Sequence, residues 1–199
     1  MEIMIITGFL GSGKTAAILA VVDRVIESTG KKVVVIKNDF GRIGIDARVM
    51  KNGGLTVQEM HGGRICCMSE EAFLKTLTDV ARDIGPDMVV VEPTGLEDPM
   101  SILAALKAFD ETPLDSVRTV VVLDAVRFAR ILRAFPRPVE RQLRAADLVL
   151  VNKIDEVDNI ELVDVLACLF DLGINVPIVS ASMATGTNVE RVIQQLVST

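Results

Sequence analysis

The stretch Gly8-Phe9-Leu10-Gly11-Ser12-Gly13-Lys14-Thr15, directly after the apolar run Ile3-Met4-Ile5-Ile6-Thr7, constrains this chain more than any other. It has the form G-x-x-x-x-G-K-[ST] in the context that gives the pattern meaning: a short buried strand before it and a helix-forming stretch after it. Glycines let the backbone turn its N–H groups inward around phosphate oxygens, and a helix opening near Lys14 adds the positive end of its dipole. Gly11, Ser12, Gly13, Lys14 and Thr15 therefore read as a phosphate cradle, with Lys14 reaching the β/γ-phosphates and the Thr15 hydroxyl on Mg²⁺. The ligand implied is a nucleoside triphosphate.

The rest of the chain supplies a frame for that loop. A helix is expected over 16–28, closed by Gly30, and Lys32–Ile36 is a β-branched run typical of a strand covered on both faces. Further strands are expected at 55–60, 87–92, 117–123, 148–151 and 176–179. Helices are expected after Ser69 and at 99–109, 125–134, 139–145, 158–171 and 187–197. This alternation predicts an α/β fold with a doubly wound, mostly parallel sheet, formed by residues 1–199 as one domain. Ligands of such sheets sit outside the carboxyl ends of the strands, so Asp39, Glu92, Asp124 and Asn152 should share one edge.

Composition narrows the partners. A net charge of −6 and a pI near 4.9 argue against nucleic acid or an anionic membrane, although a local basic patch is compatible with both figures. No apolar run approaches the about 20 residues that span a bilayer. Met1-Glu2-Ile3 lacks the basic start of a signal peptide, and a cytoplasmic protein is expected. In that setting three cysteines point to metal ligands, reactive thiols or small core residues rather than disulfides, and Cys168, on an apolar helical stretch, reads as core.

Asn152-Lys153-Ile154-Asp155, straight after an apolar strand, has the N-K-x-D form of a guanine reader. A carboxylate accepts two hydrogen bonds from guanine N1–H and the N2 amine, whereas adenine offers no such pair and would leave a buried Asp155 unpaired. Asn152 would brace the loop and the Lys153 stem would cover one face of the base. Ser180-Ala181-Ser182 is a short loop of the kind whose backbone N–H meets guanine O6. At the phosphate end, Glu92-Pro93-Thr94-Gly95 ends a strand: Glu92 could bind Mg²⁺ through water and Gly95 could donate its N–H to the γ-phosphate. Asp39 is the second acidic candidate for that end, and Arg42, in the same loop, is either a support for the γ-phosphate charge or a solvated side chain. Asp124 reads as the cap of the helix that follows it.

Together these stretches resemble the CobW-type GTPases, a family with Glu in place of Asp in the third GTP-binding motif. The matching residues are Gly8 to Thr15, Asn38-Asp39-Phe40-Gly41 with Gly44-Ile45-Asp46, Ile65-Cys66-Cys67, Glu92 to Leu96 through Asp98-Pro99, and Asn152 to Asp155. The resemblance implies a P-loop fold of the nitrogenase-iron-protein and signal-recognition class. It also implies slow GTP hydrolysis with Lys14, Asp39 and Glu92 at the reacting end, and nucleotide-dependent homodimers. The coupled task it implies is insertion of a metal or metal cofactor into a client metalloenzyme or corrinoid protein. Two departures stand out. The family's Cys-x-Cys-Cys metal motif begins here with Arg64, and the chain ends at Thr199 with only His61 as histidine, where relatives usually continue into a second domain. Cys66 and Cys67 remain either ligands for Zn²⁺ or Co²⁺, two chains together offering four thiolates, or a thiol pair with no metal duty. A protein–protein switch that carries no metal itself is the alternative function.

Overall fold

The computed structural model describes residues 1–37, 56–59, 70–95 and 98–197. The expectations placed on Asp39, Arg42, His61, Arg64, Cys66 and Cys67 lie outside the described residues.

Seven strands form one sheet, β1 (Glu2–Thr7), β2 (Val33–Lys37), β3 (Thr56–Glu59), β4 (Met88–Glu92), β5 (Ser116–Asp124), β6 (Leu148–Asn152) and β7 (Ile178–Ser180). Their order is β3-β2-β4-β1-β5-β6-β7 and every pairing is parallel. The doubly wound parallel sheet expected from the alternation is therefore present. β1 lies between β4 and β5, and the chain crosses over it from one half of the sheet to the other. Ile3 to Ile6 are at most 2% exposed, as a strand covered on both faces requires. Burying a side chain of this size stabilises the fold by about 2 kcal/mol before entropy is charged against it.

Seven α-helices among the described residues cover the sheet. Helices α1 (Lys14–Thr29) and α7 (Val189–Val197) lie on one face, packing Val21, Val22, Val25 and Val192 over Met4, Val35, Val90 and Val122. On the other face α2 (Glu70–Asp83) and α3 (Pro99–Leu106) cover the β2–β4–β1 half through Phe73, Leu77 and Ile102. There α4 (Phe128–Ala134), α5 (Pro136–Arg144) and α6 (Asn159–Asp171) cover the β5–β6 half. Cys168 is half-buried against this third cluster; burial, with Asp171 adding to it, pushes its thiol up.

Element boundaries moved where a side chain outcompeted the periodic pattern. The helix expected from residue 125 begins at Phe128, because Asp124 holds the preceding turn by accepting from Val126 N and Arg127 N at 3.0 and 3.1 Å. The one expected from residue 139 begins at Pro136, a residue whose missing N–H and fixed φ suit a first helical position. The last strand starts after Pro177, whose ring nitrogen cannot donate to the ladder, although its carbonyl accepts from Val149 N. No helix among the described residues is long and apolar enough to cross a membrane.

Candidate functional site

The register brings the sequence-predicted strand ends together: Asp124 pairs with Asn152 across β5–β6, and Glu92 with Lys37 across β4–β2. Residues 8–13 cross between these two halves at the carboxyl end of β1. Gly13 is the N-cap of α1 at φ 98, in the left-handed region, and a Cβ there would collide with the Asn152 side-chain amide. Gly95 comes equally close from the β4 side: a Cβ on it would stand 2.6 Å from Leu10 N and 3.3 Å from Gly8 O. Gln142 of α5 fixes that approach by donating from Nε2 to Gly95 O at 3.2 Å.

Lys14 is buried and arches back over the loop, its ammonium donating to Gly8 O at 2.8 Å and Phe9 O at 3.4 Å. The Thr15 hydroxyl donates to Glu92 Oε1 at 2.9 Å. The other oxygen, Glu92 Oε2, is buried and accepts no hydrogen bond among the described residues. Lys37 Nζ stands 3.3 Å from it, an ion-pair distance reached without hydrogen-bond geometry. Ser12 Oγ is likewise buried without a hydrogen-bond partner among the described residues. Mg²⁺ is the ion that a P-loop implies, and it prefers a few hard oxygens while keeping much of its water. A hydroxyl beside a carboxylate with one unsatisfied buried oxygen fits that demand.

The β6 end of the site is tied together instead. Asn152, 3% exposed, donates from Nδ2 to Ser12 O at 2.9 Å and accepts at Oδ1 from Met183 N at 3.0 Å. One side chain thus joins the phosphate loop to the loop after β7. Lys153 adopts φ 67, ψ 36, and its ammonium meets Asp124 Oδ2 at 2.8 Å. The same oxygen accepts from Arg127 Nε at 2.7 Å, while Arg127 Nη2 donates to Leu10 O at 3.0 Å. Burial pushes the Asp124 carboxyl up, but the hydrogen bonds from Lys153 and Arg127 outweigh it and hold the group below the usual carboxylate range.

Asp124 is therefore the anchor of an ion triad rather than a helix cap. Arg127 and Lys37 were missed from the sequence. The available signals were an arginine three residues after a strand-end aspartate, and a lysine closing a β-branched run. Asp155, expected to be buried, is exposed in the 3₁₀ turn Ile154–Glu156 that projects beyond β6. Ala181, fully buried, spends its N–H on Val151 O at 2.9 Å, and Ser182 N bonds Thr187 O at 3.0 Å. The O6 contact expected of this loop thus finds no open N–H at Ala181.

Comparison with known proteins agrees with the motif resemblance. The model for the CobW/HypB/UreG nucleotide-binding domain matches residues 2–171. The zinc chaperone YeiR of Escherichia coli strain K12 is 36% identical over 152 residues, which cover 76% of this chain and 46% of that protein. The zinc chaperone CobW of a Sinorhizobium species is 33% identical over 183 residues, covering 77% of this chain and 51% of that protein. The chain spans about half the length of these curated relatives. Among solved structures, the hydrogenase maturation factor HypB from Archaeoglobus fulgidus shares the fold, with a TM-score of 0.69 at 18% identity over 100% of this chain and 89% of that one. The chain belongs to the CobW/HypB/UreG family, matched through its nucleotide-binding domain.

Proposed function

We propose that this chain binds GTP with Mg²⁺, hydrolyses it slowly, and uses the cycle to deliver a metal or metal cofactor to a client enzyme in the cytoplasm. The observation that carries the nucleotide part is Asn152, which locks the phosphate loop to the β6 end that bears Lys153 and Asp155. Gly11, Ser12 and Gly13 wrap the phosphates, and the Lys14 ammonium exchanges the Gly8 and Phe9 carbonyls for the β/γ-phosphates. Thr15 and Glu92 hold Mg²⁺, with Asp39 as the second carboxylate; the ion screens charge developing on the phosphates. Gly95 offers its N–H to the γ-phosphate. Asp155, exposed and free to meet a ligand edge, accepts from guanine N1–H and N2, and the Lys153 stem covers the base. Ser180 and Ala181 shape the far wall of the base pocket; with Ala181 N–H committed to β6, they do so by packing.

Two relatives are named zinc chaperones, which supports Zn²⁺, with Co²⁺ the other ion suited to thiolates, as cargo on Cys66 and Cys67. A nucleotide-dependent homodimer would bring four such thiolates together. Arg64, a cation where the family places a thiolate, favours the second reading, a GTP-driven switch that acts on a metal- or corrinoid-dependent client without carrying metal. Competition between GTP and ATP for a fluorescent nucleotide tests the first step; a labelled nucleotide is needed because the chain has no Trp or Tyr. Tighter ATP binding would overturn it. Metal analysis of wild type and Cys66→Ser/Cys67→Ser protein, with GTP analogue and with GDP, separates the readings. Equal metal content in both proteins would remove the thiol-borne cargo.

A further inference from the structure

Residues 127–144, which form α4, α5 and the turn before them, contain six arginines and one glutamate, a local charge of +5 in a chain whose total is −6. Arg127 is tied to Asp124, and Arg141 reaches Asp98 Oδ2 at 3.5 Å. Arg130, Arg133, Arg137 and Arg144 are exposed and pair with no carboxylate among the described residues. They are not scattered. Arg137, Arg141 and Arg144 follow i, i+4, i+7 spacing along α5, opposite its buried Val139, Gln142 and Leu143. Arg130 and Arg133 stand three residues apart on α4, both exposed.

Apolar surface adjoins this row. Phe135, at the α4–α5 junction, is 46% exposed, with its ring 5.7 Å from that of Phe9. Val126 is 37% exposed, and Leu10 of the phosphate loop, held through its carbonyl by Arg127, is 84% exposed. The patch is continuous with the candidate nucleotide site.

We infer that this face docks an amphipathic, carboxylate-rich segment of a partner protein. The segment's acidic side chains lie along the arginine row, and its apolar side chains lie on Phe135, Val126 and Leu10. Guanidinium groups are fork-shaped donors that match carboxylates in pairs. The remainder of the chain is acidic, including α6 on the same face of the sheet, which has Glu161, Asp164 and Asp171 and no basic residue. That distribution repels an extended polyanion such as a duplex, whereas a short acidic segment with apolar anchors fits the patch. The inference rests on the client-partner part of the proposed function and deepens it by placing the contact beside the phosphate loop.

The test uses the full chain and a fluorescein-labelled helical peptide of about five turns with Leu and Glu at helical spacing. Its controls are a Leu/Lys counterpart, phosphatidylserine vesicles and a short DNA duplex. The Leu/Glu peptide should bind, more weakly as salt rises, and Arg130→Glu/Arg133→Glu/Arg137→Glu should weaken it by about tenfold or more. The neutral Arg130→Gln/Arg137→Gln variant should fall between. Labelled-nucleotide affinity, measured on the same samples, should stay at the wild-type value and reports folding. Peptide affinity unchanged in the variants, equal binding of the Leu/Lys peptide, or tighter binding of vesicles or duplex would overturn the inference. Self-association lost in the same variants would also do so by assigning the face to a second copy. Nucleotide binding retained while wild type ignores the Leu/Glu peptide sinks only this inference; loss of nucleotide binding sinks the reading beneath it.

Discussion

The two halves of the sheet end in different ways. On the β5–β6 side, Asp124, Lys153 and Arg127 satisfy one another, and Asn152 is satisfied by Ser12 and Met183: each carboxylate or amide oxygen named has a donor, and each cation an anion. On the β4–β2 side, Glu92 keeps a buried oxygen without a hydrogen bond among the described residues, and Lys37 stands beside it without completing one. A buried polar atom left without a hydrogen bond costs about 1–3 kcal/mol, a cost that the Lys37 ion pair offsets at Glu92 Oε2. The difference teaches that the β5–β6 side, where we propose the base sits, is built in advance, whereas the β4–β2 side keeps groups that a ligand would satisfy.

Four substitutions test that contrast, in decreasing order of expected effect. Lys14→Ala removes the buried ammonium that arches over the loop; GTP affinity should drop about 100-fold by fluorescent-nucleotide titration, the equivalent of one or two charge-assisted bonds. A change of less than threefold would mean that Lys14 belongs to the loop's structure and not to its ligand. Asp155→Asn replaces an acceptor by a group that also donates; GTP should weaken by about 30-fold while xanthosine triphosphate gains. If both nucleotides shift together, Asp155 does not read the base.

Asp124→Asn should cost about 2 kcal/mol in urea unfolding, below the value for a fully buried pair because Lys153 and Arg127 are partly exposed. The carboxyl is held below its ordinary range, so its stabilisation is complete above about pH 4, the unfolded Asp value, and is lost as pH falls through the lower folded value. The gap between wild type and variant should therefore close on acidification below about pH 4. A gap independent of pH would refute the ion triad. Lys37→Met removes the ammonium that competes for Glu92 Oε2; half-saturation of nucleotide binding by Mg²⁺ should occur at about threefold lower concentration. Unaltered Mg²⁺ dependence would mean that Lys37 does not compete with the ion. Loosening the phosphate end should thus alter ligand response, whereas breaking the Asp124 ion triad should alter stability.

Much of this was legible beforehand because it is local. A β-branched run buried on both faces reads as a central parallel strand wherever it occurs, and the G-x-x-x-x-G-K-[ST] spacing specifies its own loop. The boundaries at Phe128 and Pro136 were missed because hydrophobic period is blind to an Asx turn and to proline at a helix start. Asp124 was misread for a related reason. A strand-end aspartate before a turn looks like a cap until Lys153, which follows the neighbouring strand β6, is found 2.8 Å away.

The order of motifs along the chain, its strand–helix alternation and its family resemblance were determined by the sequence alone, since each depends on neighbours within a few residues. Only the tertiary structure decided which charged groups meet. Asn152 and Ser12 lie 140 positions apart, yet they share a hydrogen bond because β1 and β6 flank β5 in a sheet whose order is not that of the chain. The pairing of β2 with β4 put Lys37 beside Glu92, and the pairing of β5 with β1 brought Arg127 to the phosphate loop. Pair energies depend on distance in space, and a parallel sheet fixes that distance through connections that no local pattern encodes.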